Sequence, residues 1–157
     1  MKLGGSETLT FLERVQLKFL KYILGLKAST PSAMVYEETG VFPLKVDIET
    51  RVIKYWTKLV QPTIHKITTK MYFYIHYLYI NSTSERITKN FSWLSNIKKI
   101  LCKCGYHGIW LSHSFANNEW LKNAINLKLK DIFITEWYSE INHATSFKFY
   151  KTIKKVI

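Results

Sequence analysis

Acidic and rigidifying residues are scarce in this chain. Only two aspartates, Asp47 and Asp131, occur in 157 residues, with two cysteines, three prolines and six glycines. Two-metal phosphoryl transfer needs paired carboxylates around its ions, and no such pairing is visible. There is no glycine-rich phosphate loop and no dinucleotide-binding fingerprint. Serine, histidine and aspartate co-occur without the spacing of a nucleophilic triad. Two cysteines are too few for a disulfide framework, and Cys102 and Cys104 are too close in sequence for an ordinary bridge. A reducing, intracellular setting (cytoplasmic or nuclear) is the matching expectation. The first six residues lack the apolar stretch of a signal peptide. The longest apolar run, Met71 to Ile80, spans ten residues and includes His76, against about 20 needed to cross a bilayer. A soluble protein without a transmembrane segment is expected.

What the chain does have is apolar mass and positive charge. Apolar residues make up 47% and aromatics 15%, which is far from the composition of disorder. A chain of this length can bury roughly 68–70% of its unfolded surface. The net charge is +12, and its placement is uneven. Residues 1–50 carry six basic and six acidic side chains, whereas residues 51–157 carry seventeen and five. A field of one sign attracts polyanions, either nucleic acid or an anionic membrane. Lysine supplies 20 of the 23 basic groups, with only Arg14, Arg51 and Arg86 besides. Abundant Lys, Ile, Asn, Tyr and Phe also fits A/T-rich codons, so codon bias is a competing source of the charge. Few guanidinium forks favour contacts to the nucleic-acid backbone over base readout.

The periodicity predicts an all-α protein, an irregular bundle of about six or seven helices. Leu12, Val15, Phe19, Tyr22, Ile23 and Leu26 recur at three and four, which predicts a helix over 9–24 with these residues inward. Thr10 and Glu13 fit a capping box there, and Gly25 a stop. Thr30 can cap a short second helix with Pro31 at its first position, ending at Gly40. Val41-Phe42-Pro43 is an extended connector. A third helix over 44–60 turns Ile48, Val52, Trp56, Leu59 and Val60 inward. Residues 63–80 predict a buried helix, with a strand as the alternative because of the Tyr and Ile content. Its tyrosines could stack on bases, but core packing is the expected use of most. Residues 81–90 are polar and serve as a candidate linker between a helical region 1–80 and a basic helical region 91–157, unless 1–157 forms one continuous domain. A fifth helix from Phe91 or Ser92 to about Cys104 faces Trp93, Leu94, Ile97, Ile100 and Leu101 inward, and Gly105 closes it. Residues 106–116 read as a loop. Asn118 can cap a long helix carrying Leu121, Ile125, Leu129, Ile132, Phe133, Trp137 and Ile141, and a last helix follows over 145–156.

Three runs carry one resemblance of pattern. The first is Leu12-Glu13-Arg14-Val15-Gln16-Leu17-Lys18-Phe19-Leu20-Lys21-Tyr22-Ile23-Leu24-Gly25-Leu26-Lys27 with Ser29-Thr30-Pro31. The others are Val41-Phe42-Pro43-Leu44 and Arg51-Val52-Ile53-Lys54-Tyr55-Trp56. Over 12–60, and loosely to about 150, the chain resembles the segment after the polymerase palm, the thumb and following helices, of invertebrate non-LTR (LINE-type) retrotransposon reverse transcriptases. The family's palm motif, a Tyr, a small residue and two Asp, is absent, as is its endonuclease core. The resemblance therefore implies a non-catalytic fragment or derivative that contacts RNA or DNA backbone and needs no cofactor.

Candidate backbone-binding residues are Lys54, Lys58, Lys66, Lys98, Lys99, Lys148, Lys151 and Lys155, the last three on a C-terminal helix whose other face is Phe147, Tyr150, Ile153 and Ile157. Cys102, Cys104, His107 and His113 are weak zinc candidates, because C-x-C at a helix end points its two sulfurs apart where C-x2-C would converge them. No metal is expected. The acidic pairs Glu37-Glu38 and Asp47/Glu49 read as solvated helix-start charge. A helical protein-interaction module or an inactive remnant, its charge set by codon bias, is the second function class. Binding an anionic membrane surface ranks below both.

Overall fold

A computed structural model describes residues 5–61, 66–81 and 91–143. Among them are seven helices and no strand: α1 (Gly5–Ile23), α2 (Ser32–Thr39), α3 (Leu44–Val60), α4 (Lys66–Asn81), α5 (Ser92–Lys103), α6 (His107–Ser112) and α7 (Asn118–His143). The protein is all-α. The chain divides into two compact units, one taking residues up to Val46 together with those from Leu129 onward, the other Asp47–Lys128. The predicted helix over 145–156 lies outside the described residues, as does the candidate linker apart from Asn81, which belongs to α4.

In the first unit, α1 departs from its sequence pattern. Leu12, Val15, Phe19, Tyr22 and Ile23 were expected inward, yet all are exposed, Phe19 to 61% and Tyr22 to 84%. The helix instead turns its Glu13, Gln16, Leu17 and Leu20 side inward, where these residues are half-buried. The reason is a polar clamp. The Gln16 amide donates to the Phe42 carbonyl at 3.1 Å and accepts from the Leu44 N–H at 3.2 Å. Both partners are backbone groups left open where Pro43 interrupts the chain and α3 begins, and buried groups of this kind must find a partner. The capping box does not form, since α1 starts at Gly5 and Thr10 sits within it. Its C-terminus behaves as expected. Gly25 lies at φ +63°, its N–H donates to Tyr22 O, and Leu26 N–H reaches Lys21 O, the paired bonds of a Schellman stop.

α2 starts one residue later than read. Pro31 is its N-cap with extended ψ, and no side chain caps it, so Thr30 does not serve. Gly40 ends it at φ +63° as expected. Ala33, Val35 and Tyr36 are buried. Phe133 of α7 meets the rings of Tyr36 and Phe42 edge-on, and Trp137 donates its indole N–H to Ala33 O at 2.9 Å. Lys130 sits 4.8 Å over the Phe42 ring, a cation–π contact.

In the second unit, α3 is rotated by about one residue from its predicted face. Ile53, Trp56, Thr57 and Val60 are buried, while Ile48, Val52 and Leu59 are half-buried. α4 is helical, which removes the strand alternative, but it is not buried all round. Thr69, Tyr72 and His76 point inward, while Tyr74 and Tyr77 are 59% and 64% exposed, contrary to the expected core packing. α5 buries Leu94, Ile97, Ile100 and Leu101, with Trp93 half-buried. The expected loop over 106–116 contains α6, because Trp110 is drawn into the core at 1% exposure and one helical turn is the short way to bring it there. α7 is capped by Asn117, whose side-chain oxygen accepts from Glu119 N–H at 2.7 Å. Asn118 instead donates to Gln61 Oε1 at 2.7 Å.

Gly105 closes α5 at φ +83°, with Tyr106 N–H bonded to Leu101 O and Gly105 N–H to Cys102 O. A Cβ added there would meet nothing within 4 Å, so only backbone strain opposes a side chain. Gly105→Ala is expected to destabilise the protein by about 1–2 kcal/mol, the ordinary left-handed penalty for an L-residue. Urea unfolding should show a lower midpoint with an unchanged slope.

Candidate nucleic-acid interface

Between Asp47 and Lys128 the sequence holds twelve basic and four acidic side chains. α3 sorts part of this charge onto one stripe. Its core residues Ile53, Trp56, Thr57 and Val60 occupy one side of the helix. Arg51, Lys54, Tyr55 and Lys58 recur at three, four and seven, which stacks them along the opposite side, and all four are exposed. Asp47, one turn before Arg51, is the acid at the stripe's N-terminal end. Glu119, at the start of α7, is a second neighbour. A hydrogen bond from Lys122 holds its carboxyl below the usual range, and the charges of Lys54 and Lys58 add to that. Glu119 is thus matched by Lys122, while Lys54 and Lys58 remain a cationic pair on the outer face of α3.

Tyr55 stands inside this stripe. It is 58% exposed, and its ring meets Trp93 at the start of α5 edge to face, with centroids 6.2 Å apart. Beyond Trp93 a cleft of about 310 Å³ is walled by Leu59, Ile67, Met71, Tyr72 and Leu94 and presents almost no polar surface. Its one ionisable lining residue is the Tyr72 phenol.

The remaining predicted lysines divide. Lys98 and Lys99 are both exposed on α5, Lys98 at the edge of the face that buries Leu94 and Leu101 and Lys99 on the opposite side. Lys66 opens α4, and its side chain, with Lys148, Lys151 and Lys155, lies outside the described residues. Arg51 and Tyr55 were missed as site residues. Their signal was present in the spacing 51, 54, 55 and 58, which marks a shared helix face once the core face is known.

The zinc candidates do not converge. Cys102 is exposed, while Cys104 is buried. Burial and the Glu49 charge push the Cys104 thiol up to about 11, only partly offset by Lys103 and Lys128. His107 is exposed at the start of α6. His113 closes α6 in the left-handed region at φ 52° and turns into an aromatic cluster. Among the described residues no three His, Cys, Asp or Glu side chains are grouped to hold a metal ion.

That cluster is a buried polar chain. Trp56, a donor only, gives its indole N–H to the Tyr72 oxygen at 2.8 Å, and the Tyr72 hydroxyl lies 2.8 Å from His113 Nε2. With its oxygen accepting from Trp56, the phenol either donates to Nε2 or accepts a second bond from it, according to the His113 tautomer. Burial lowers the His113 pKa. His76 packs at 4.4 Å from His113 and 4.8 Å from Trp110, and its Nε2 is buried without a hydrogen-bond partner among the described residues. Burial, then the neighbouring His113, lowers His76 to about 4. Burial also lifts Tyr72 to about 12 against the opposing effect of the Trp56 hydrogen bond. The site missed by sequence reasoning is therefore His76, which there was no more than an interruption of an apolar run.

Two outcomes follow. Tyr72→Phe strands the Trp56 N–H and His113 Nε2 together, so a loss of about 2–4 kcal/mol in unfolding free energy is expected from denaturant titration. Both histidines have folded values below the ordinary 6.5, so the unfolded chain binds protons that the folded chain refuses. Stability is fully present above pH 6.5 and falls as the pH drops toward 4. Melting temperatures between pH 7 and 5, above most carboxylate titration, should decline for the native chain and flatten in His76→Phe.

No described helix is long and apolar enough to cross a membrane. No protein-family model matches the chain, and neither a curated protein nor a solved structure does.

Proposed function

We propose that the chain is a non-catalytic helical segment that holds nucleic-acid backbone, in the manner of a part of a reverse transcriptase lying outside its catalytic palm. The observation that carries this reading is the α3 stripe, where Arg51, Lys54 and Lys58 point the same way from a helix whose other side is core. A phosphate backbone binds such a row by releasing condensed counterions, with no base readout required. Lys98 and Lys99 on α5 add to the same positive field. The resemblance of residues 12–60 to the post-palm region of LINE-type elements points to the same class of ligand.

The test is oligonucleotide binding by fluorescence anisotropy across a salt series. Lys54→Gln with Lys58→Gln keeps length and helix propensity. Affinity should fall at every sequence tried, and the slope of log affinity on log salt should flatten by roughly 1.4–1.8, the counterions of two phosphates. Unchanged affinity and slope would overturn the assignment. That outcome would favour a protein-interaction module, for which the specific observation is the exposed apolar side of α1, Leu12, Val15, Phe19, Tyr22 and Ile23.

A further inference from the structure

Tyr55 is the one aromatic residue within the α3 basic stripe, and its setting differs from that of a tyrosine packed in a core. Arg51, Lys54 and Lys58 lie four and one residues before it and three after it, all exposed. Its ring is braced by the Trp93 edge contact while more than half of the residue stays open to solvent. We infer that Tyr55 is a stacking platform for an unpaired base, and that the ligand of the α3 stripe is single-stranded nucleic acid. This inference rests on the backbone-binding reading and names the form of nucleic acid that the same face takes.

The physical case has three parts. In a duplex, each base has both faces covered by its neighbours, so a ring on a helix surface cannot reach one without unstacking the helix. A single strand offers open faces, and any base can lie on an aromatic ring. The cations around Tyr55 supply the second part. A strand whose phosphates contact Lys54 and Lys58 passes beside the ring between them, so its bases are delivered to the ring by the contacts that hold its backbone. Trp93 supplies the third. A phenol held against a neighbouring indole has already lost part of its rotamer freedom, so less ordering entropy opposes stacking. The scarcity of arginine fits as well, since stacking and phosphate contacts need no guanidinium fork to read a base edge. Tyr74 and Tyr77 of α4 are as exposed as Tyr55, but Lys70 is the only described basic side chain on that helix. Charge thus favours Tyr55 over the α4 tyrosines, and the Trp93 brace is the further contact that sets its ring.

The experiment measures the affinity of the full chain for a fluorescein-labelled oligothymidine and for a blunt duplex, with Tyr55→Ala, Tyr55→Phe and Tyr77→Ala beside the native protein. Melting curves first establish that each variant is folded, which the exposure of both tyrosines favours. Tyr55→Ala should weaken oligothymidine binding by about 5- to 150-fold, the range for losing one stacked base, at an unchanged salt slope. Tyr55→Phe should restore it, and duplex binding and Tyr77→Ala should stay near native. Equal losses for single strand and duplex, or native binding by Tyr55→Ala, would overturn the inference while leaving the lysine-dependent backbone reading in place. Absence of binding to either oligonucleotide by the native chain would overturn both.

Discussion

Burial of the Trp56 indole N–H is the constraint on which the second unit turns. Trp56 is fully buried on α3, and its donor must be satisfied inside the protein or cost the unit a hydrogen bond's desolvation. The partner is Tyr72 on α4, which in turn needs an acceptor for its own proton. His113 is the hydrogen-bond partner on that side, and it can reach Tyr72 because α6 places it there at a left-handed φ. One donor thus ties three helices into a set order. Trp110 and His76 pack around the same chain of bonds, and the Phe115 ring meets Trp56 at a tilt of 39°. Buried polar chains of this kind favour a single arrangement where apolar surfaces alone would tolerate several.

Most of the helices were legible because apolar spacing and glycine stops are local signals. α3 and α5 fell within a residue of their predicted bounds, and Gly25, Gly40 and Gly105 each ended a helix in the left-handed region. What failed was the choice of face. α1 carries five apolar residues in phase, and periodicity alone assigns them to a core, yet a glutamine on the adjacent side bonds to backbone at Phe42 and Leu44 and turns that side inward. α4 failed for a related reason: tyrosine is apolar enough to be counted as core and polar enough to stay in water, so its pattern does not say which. α6 was missed because a glycine and two histidines within a few residues read as turn chemistry, while the need to bury Trp110 is visible only in three dimensions.

The candidate interface was half legible. Lysine enrichment after residue 50 pointed to a polyanion, and Lys54 and Lys58 were identifiable as solvent-facing. The setting of Tyr55 was not, because its neighbour Trp93 is thirty-eight positions away and pairs with it only in the folded chain. The cysteine and histidine candidates show the converse. Four ligand-type residues within twelve positions suggest proximity, but a helix end, a glycine stop and a one-turn helix send Cys102, Cys104, His107 and His113 to different surroundings.

The Gln16 clamp has a thermal consequence. Hydrophobic attachment weakens on cooling, and detaching it carries a large heat-capacity change in proportion to the apolar area released. Among its described side chains, α1 is held by one amide bonded to two backbone groups and by two half-buried leucines, Leu17 and Leu20, while Phe19, Tyr22 and Ile23 are already in water. Lifting α1 away therefore exposes little new apolar surface. The free energy of its local opening should depend on temperature almost linearly, unlike the curved stability of the buried helices, so α1 gains no tendency to detach in the cold, where hydrophobic cores loosen.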